Sequence, residues 1–142
     1  MTQLMIRKML IVLSIIFATL ETCSGEVGSF SLTKVEFPNE LIMNERNYFT
    51  LQGNFNKNIT SGTISGKVYK GPFKLMTKIQ DLCTKAHCPL FGYQEIISYI
   101  RPPNVAQMSL KLMIEITDQD YKRVTCFQIS TKLIKSKEYS IN

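Results

Sequence analysis

The stretch Met108-Ser-Leu-Lys-Leu-Met-Ile-Glu-Ile-Thr117 alternates in step with a β-strand. Leu110, Leu112, Ile114 and Ile116 fall on one face and Lys111 and Glu115 on the other, the pattern of a strand with one buried and one wet side. A chain containing such a segment must give it neighbours in a sheet and a second layer to cover its apolar face.

The rest of the chain supplies both. Phe30-Ser-Leu-Thr-Lys-Val-Glu-Phe37 alternates and stops at Pro38-Asn39, and Tyr48 to Phe55 sets Phe49, Leu51 and Phe55 against Thr50, Gln52 and Asn54. Thr63 to Tyr69 reads as a strand ended by Gly71-Pro72, and Phe73 to Leu82 leads into a loop between two cysteines. Tyr93 to Ile100 is closed off by Pro102-Pro103, and Val124 to Leu133 is the last strand, leaving a polar tail from Lys135. The polar stretch from Asn54 to Gly66 reads as a turn, and so does Asp118-Gln-Asp120, whose carboxylates read as solvated turn residues. No helical stripe, internal repeat or low-complexity segment interrupts the series. About seven strands in a chain of 142 residues predict one all-β domain, an immunoglobulin-like β-sandwich of two antiparallel sheets.

The N-terminus follows a different rule. Arg7-Lys8 precedes twelve mostly apolar residues, Met9 to Leu20, a run that stops at Glu21. Twelve is short of the roughly twenty that cross a bilayer, and a basic start before a short apolar run is the secretory signal pattern. A cleaved leader is therefore expected, ending between Ala18 and Gly25. Asn58-Ile59-Thr60 is an N-glycosylation sequon and agrees with export. The same route makes the four cysteines, Cys23, Cys83, Cys88 and Cys126, candidates for two disulfides. Three pairings are open; Cys83 and Cys88 are close enough in sequence to staple a loop, which would leave Cys23 for Cys126.

Charge and chemistry narrow the function. Seventeen Lys plus Arg face eleven Asp plus Glu, and removing Arg7, Lys8 and Glu21 leaves 15 against 10, a net +5. These lysines are dispersed, which suits an anionic membrane surface and gives no nucleic-acid block. Catalysis is not expected: His87 is the one histidine, and no glycine-rich phosphate loop, nucleophile elbow or metal-binding helix motif is present. Cys83, His87 and Cys88 fall short of a four-ligand zinc site, so neither metal nor cofactor is expected. What the chain has in surplus is large apolar side chains, with eight Phe, six Tyr and seven Met. Such side chains either interlock as a dry core or leave an apolar cavity between the sheets.

Taken together, Cys23, Phe30-x-Leu-x-x-Val-x-Phe-Pro38, Asp81-Leu-Cys83, Cys88-Pro-Leu90, Gly92-Tyr93, Ser109 to Glu115 and Asp118 to Cys126 resemble the ML (lipid-recognition) domain family. The resemblance spans almost all of residues 23–142. That family has a sterol-carrying branch, the Niemann-Pick type C carrier, and a branch that transfers phosphatidylglycerol and phosphatidylinositol. It implies a Cys23–Cys126 pair beside Cys83–Cys88, and with it a leader of residues 1–22 cut just before Cys23. The sterol branch carries an extra cystine after the first-strand proline. Here Pro38 is followed by Asn39-Glu-Leu-Ile-Met without Cys, which is closer to the phospholipid branch.

The resemblance further implies sheets that part at one edge to admit an acyl chain or sterol. Phe37, Ile42, Phe73 and Leu110 match its ligand-facing positions, and strand parity adds Phe49, Leu51, Leu112 and Ile114. Lys70, Lys74 and Arg101 are the candidate headgroup or membrane contacts. The expected protein is a monomeric phospholipid carrier of the secreted or endolysosomal lumen, touching anionic membranes transiently. Sterol carriage in the same pocket is the near alternative, and a solid-cored module that recognises a protein partner is the alternative of another class.

Overall fold

The computed structural model describes residues 20–23 and 28–135. Nine strands lie among them: β1 (Leu20–Thr22), β2 (Phe30–Glu36), β3 (Glu40–Ile42), β4 (Asn47–Ile59), β5 (Thr63–Lys70), β6 (Phe73–Asp81), β7 (Leu90–Ile100), β8 (Met108–Thr117) and β9 (Arg123–Ile134). A single 3₁₀ turn, Leu82–Thr84, follows β6.

Two sheets form the expected sandwich. The larger has the order β1-β9-β8-β5-β6, and the smaller is β2-β4-β7. The alternation of β8 fixes the inner face of the larger sheet. Its register sets Gly66, Ile114 and Phe127 in one row across β5, β8 and β9, and Val68, Leu112 and Ile129 in the next. Val35, Leu51, Phe55 and Ile96 of the smaller sheet belong to the same buried cluster. Every one of these apolar side chains is nearly or fully removed from water. Burying a residue of this size contributes about 1.5–3 kcal/mol.

Four sequence expectations are corrected. Two short strands, β1 and β3, were not legible, and both lie along the side of β9 that β8 leaves free. The β3–β9 pair is parallel, so the larger sheet is mixed. Asn54 to Gly66 is only partly a turn: β4 runs on to Ile59, which pairs with Leu90 and is fully buried, after a register shift beyond Phe55. Asn58 of the sequon therefore stands exposed near the end of a strand. Asp118, fourth, is not solvated. It is 4% exposed and accepts from the backbone N–H groups of Asp120 and Lys122 and from Lys57 Nζ at 2.8 Å.

Cys23 is joined to Cys126 and Cys83 to Cys88. The first bridge spans 103 residues and ties the segment after β1 to the middle of β9. Of the expected leader, Leu20–Thr22 form β1, and the remainder lies outside the described residues. Among the described residues no helix is long and apolar enough to cross a membrane.

Candidate functional site

Each sheet ends in a strand with an open edge, β6 on the larger and β7 on the smaller. Between these two edges runs a crevice. Phe49, Ile64, Gly66, Ile100 and Ile114 line its inner part, on β4, β5, β7 and β8. Lys78 and Gln80 of β6, with Ser98 and Tyr99 of β7, line its mouth. Gly66 makes the inner gap. A Cβ there would come within 3.3 Å of Ile100 Cδ1 and 3.7 Å of Ile114 Cδ1, so the missing side chain is what leaves room between the layers.

The mouth is polar and lightly closed. Ser98 Oγ donates to Gln80 Oε1 at 2.7 Å, and Lys78 Nζ lies 3.4 Å from the centroid of the Tyr99 ring. Two more cations reach the same ring, Arg46 at 4.8 Å and Lys85 at 5.0 Å. Contact with the Lys78 ammonium holds the Tyr99 phenol below its ordinary value, and the charges of Arg46 and Lys85 act the same way. Arg46 is raised, first by the Tyr48 hydroxyl and then by Tyr99. Lys85 is set in place by the cystine loop: its backbone N–H donates to the Leu82 carbonyl, and Asp81 caps the turn by accepting from Cys83 N–H.

The crevice holds about 10 Å³, room for one water and not for a hydrocarbon tail. The expected interior void of about 300 Å³ is not found at this crevice among the described residues. Surface energetics give the reason: an empty apolar cavity costs about 24 cal/mol per Å³, or about 7 kcal/mol for that volume. The rim itself is lightly held, because β6 buries no residue fully on either face. Among the described residues, the Ser98–Gln80 hydrogen bond and the Lys78–Tyr99 contact cross the mouth, each worth about 1 kcal/mol.

Of the side chains expected to face a ligand, Phe49 and Ile114 line the crevice. Phe37 is half-buried and packs on Phe49, ring centroids 5.7 Å apart. Leu51 and Leu112 are fully buried in the closed core. Leu110, also buried, edges a shallow open depression of about 530 Å³ with Asn39, Gly71 and Thr131, and Ile42 is half-buried on β3. Phe73 is elsewhere. It is 71% exposed at the tip of the β5–β6 hairpin, flanked by the exposed Lys70 and Lys74. Arg101, exposed, follows β7 and has no partner in the Tyr99 cluster.

Sequence reasoning missed the mouth. The signal was there in β6, where Met76, Lys78 and Gln80 share one parity and partner Val68, Gly66 and Ile64 of the inner face. Polar residues on the inward parity of an edge strand mark a place where a sandwich is not sealed. The convergence of Arg46 and Lys85 from distant loops had no sequence signal. Among the described residues, no group of three or more His, Cys, Asp or Glu could hold a metal ion, and His87 is exposed on the cystine loop.

Comparison with known proteins agrees with this geometry. Residues 18–133 match the family model described as ML domain. Among solved structures, a Niemann-Pick type C2 protein from Japanese carpenter ant superposes with a TM-score of 0.66 at 15% identity, covering 81% of this chain and 98% of that one. Chicken MD-1 complexed with lipid IVa gives a TM-score of 0.54 at 11% identity, covering 78% and 85% respectively. At these identities the likeness shows the fold. No curated protein matches the chain in sequence.

Proposed function

This chain belongs to the ML domain family, and from that membership and the crevice we infer that it is a lipid carrier. It works by binding, without covalent chemistry, in the secreted or endolysosomal lumen that its two disulfides suit. One observation carries the reading. The open edges β6 and β7 meet over an apolar floor of Phe49, Ile64, Ile100 and Ile114, and among the described residues they are joined there by side chains, Ser98 with Gln80 and Lys78 with Tyr99. A lipid tail entering there would part β6 from β7 and replace the inter-sheet contacts with its own. Burial gains about 0.8 kcal/mol per CH₂, nearly what the bilayer gives. A near-balanced exchange lets a lipid leave one membrane and enter another.

The cargo we propose is a glycerophospholipid of the phosphatidylglycerol or phosphatidylinositol class, carried by a monomer. Support comes from the stretch after Pro38, which forms β3 on β9 with no cystine. Lipid extracted from the purified, natively exported protein and identified by mass spectrometry tests this. Phospholipid is the expected species; sterol would move the cargo to the other branch, and no lipid at all would overturn the carrier reading.

A further inference from the structure

We propose that Arg46, Lys78 and Lys85, gathered around Tyr99 at the crevice mouth, form an anion cradle that receives the phosphate of a lipid headgroup. The proposal rests on the carrier reading and names the residues that would hold the headgroup. Its observations are independent of that reading. Three cations from three separate segments, the β3–β4 turn, β6 and the cystine loop, lie within 5.0 Å of one aromatic ring. Like charges do not collect without a reason, since their mutual repulsion opposes it. Among the described residues no carboxylate forms an ion pair with any of the three, whereas Lys34, Lys57 and Arg123 all have acidic partners.

All three cations share one ring, each cation–π contact contributing modestly. A phosphate monoanion would supply what the cluster lacks: negative charge and several acceptor oxygens, for a guanidinium and two ammonium groups. The position suits a headgroup. Lys78 lines the crevice mouth itself and reaches the Tyr99 ring, which alternates with buried Ser98 and Ile100 and so stands on the outer side of β7; a phosphate bound there would sit just outside the edge by which acyl chains would enter. A sterol, with one neutral hydroxyl, would leave three cations without a partner.

The test uses the full exported protein with two probes that share their chains and differ in the headgroup. Donor vesicles carry either pyrene-labelled phosphatidylglycerol or pyrene-labelled diacylglycerol, and uptake is read from the loss of excimer emission. Wild type is expected to prefer phosphatidylglycerol. R46Q/K85Q, at two surface positions that leave the core untouched, is expected to lower the ratio of phosphatidylglycerol to diacylglycerol uptake about tenfold or more. An unchanged ratio in a folded double variant overturns the cradle and leaves the carrier reading standing. Uptake of neither probe by wild type overturns the carrier reading, and the cradle with it. Inorganic phosphate is the third probe, titrated against Tyr99 fluorescence with Y99F as the blank. Binding of phosphate as tight as that of phosphatidylglycerol would make this a free-anion site and overturn the headgroup assignment.

Discussion

The Ser98 hydroxyl donates to the Gln80 side-chain carbonyl across 2.7 Å, and with the Lys78–Tyr99 contact it links β6 to β7. Ser98 is 2% exposed and Gln80 half-buried, so the bond sits where the interior meets the surface. Ser98→Ala removes it while Gln80 turns to water. We expect a loss of about 1 kcal/mol in urea unfolding together with faster lipid exchange between vesicles. Slower or unchanged exchange in this variant would place the opening elsewhere.

Gly66 is the second handle on the same crevice. Val at this position would drive its branched side chain against Ile100 and Ile114, and overpacking of that kind costs about 1–3 kcal/mol. The variant should still fold, with its midpoint in denaturant lowered. Lipid uptake should fall further than stability does, because the inner gap is then filled by the protein itself. Retained uptake in folded Gly66→Val would show that hydrocarbon does not lodge between β5 and β7.

How far the sequence could be read follows from where each signal lives. Alternation along β2, β4, β8 and β9 is local, and the side chains it assigned inward, Leu51, Leu112, Ile114 and Ile116, are buried. β3 is three residues long, too short for a period to show, and its parallel pairing with β9 is set by a partner 92 residues away. Asp118 looked solvated because its turn is polar; Lys57, from β4, is what makes its burial tolerable. The mouth is harder still. Tyr99 gathers Arg46, Lys78 and Lys85 only once two sheets are stacked, and no spacing in the chain reports that.

The two disulfides should differ in worth. In the chain-entropy account, closing 103 residues contributes about 4.7 kcal/mol and closing five about 2 kcal/mol. Cys23→Ser/Cys126→Ser is therefore expected to destabilise the fold roughly twice as much as Cys83→Ser/Cys88→Ser, measured by denaturant unfolding. The smaller loop has a second effect: freeing it loosens Lys85, so phosphatidylglycerol uptake should drop in the second pair even where the fold persists. Equal destabilisation by both pairs would refute the ranking.

Asp118 sets the acid limit of stability. Burial alone would push its carboxyl up, but the Lys57 ammonium and the amides of Lys122 and Asp120 overturn that and hold it below the ordinary 3.8. A carboxyl lowered on folding contributes stability that is present above its unfolded value and lost as pH falls through the folded one. Wild type should therefore lose stability as pH drops below about 3.8, and Asp118→Asn should show a shallower dependence there. At neutral pH the same variant should be less stable, since it removes the nearer of the two carboxylates paired with Lys57, leaving Asp120 at 3.6 Å. A pH profile identical in both proteins would remove Asp118 from this role.

Phe73 tests whether the β5–β6 tip docks on a membrane. At 71% exposure it contributes little to the core, so Phe73→Asp should unfold at the same denaturant concentration as wild type. Its neighbours Lys70 and Lys74 are exposed beside it, and Gly71, with φ of 56°, makes the tight turn that presents the three together. An apolar ring between two cations suits an anionic bilayer: the ring inserts among acyl chains while each lysine gains about 1 kcal/mol at the headgroup surface. Replacing the ring with a carboxylate reverses both terms. Transfer from phosphatidylglycerol vesicles should fall about tenfold or more, with uptake of lipid from detergent micelles far less affected, since no bilayer has to be approached. If Phe73→Asp transfers as fast as wild type between vesicles, the β5–β6 tip does not touch the membrane, and docking must run through another surface of the sandwich.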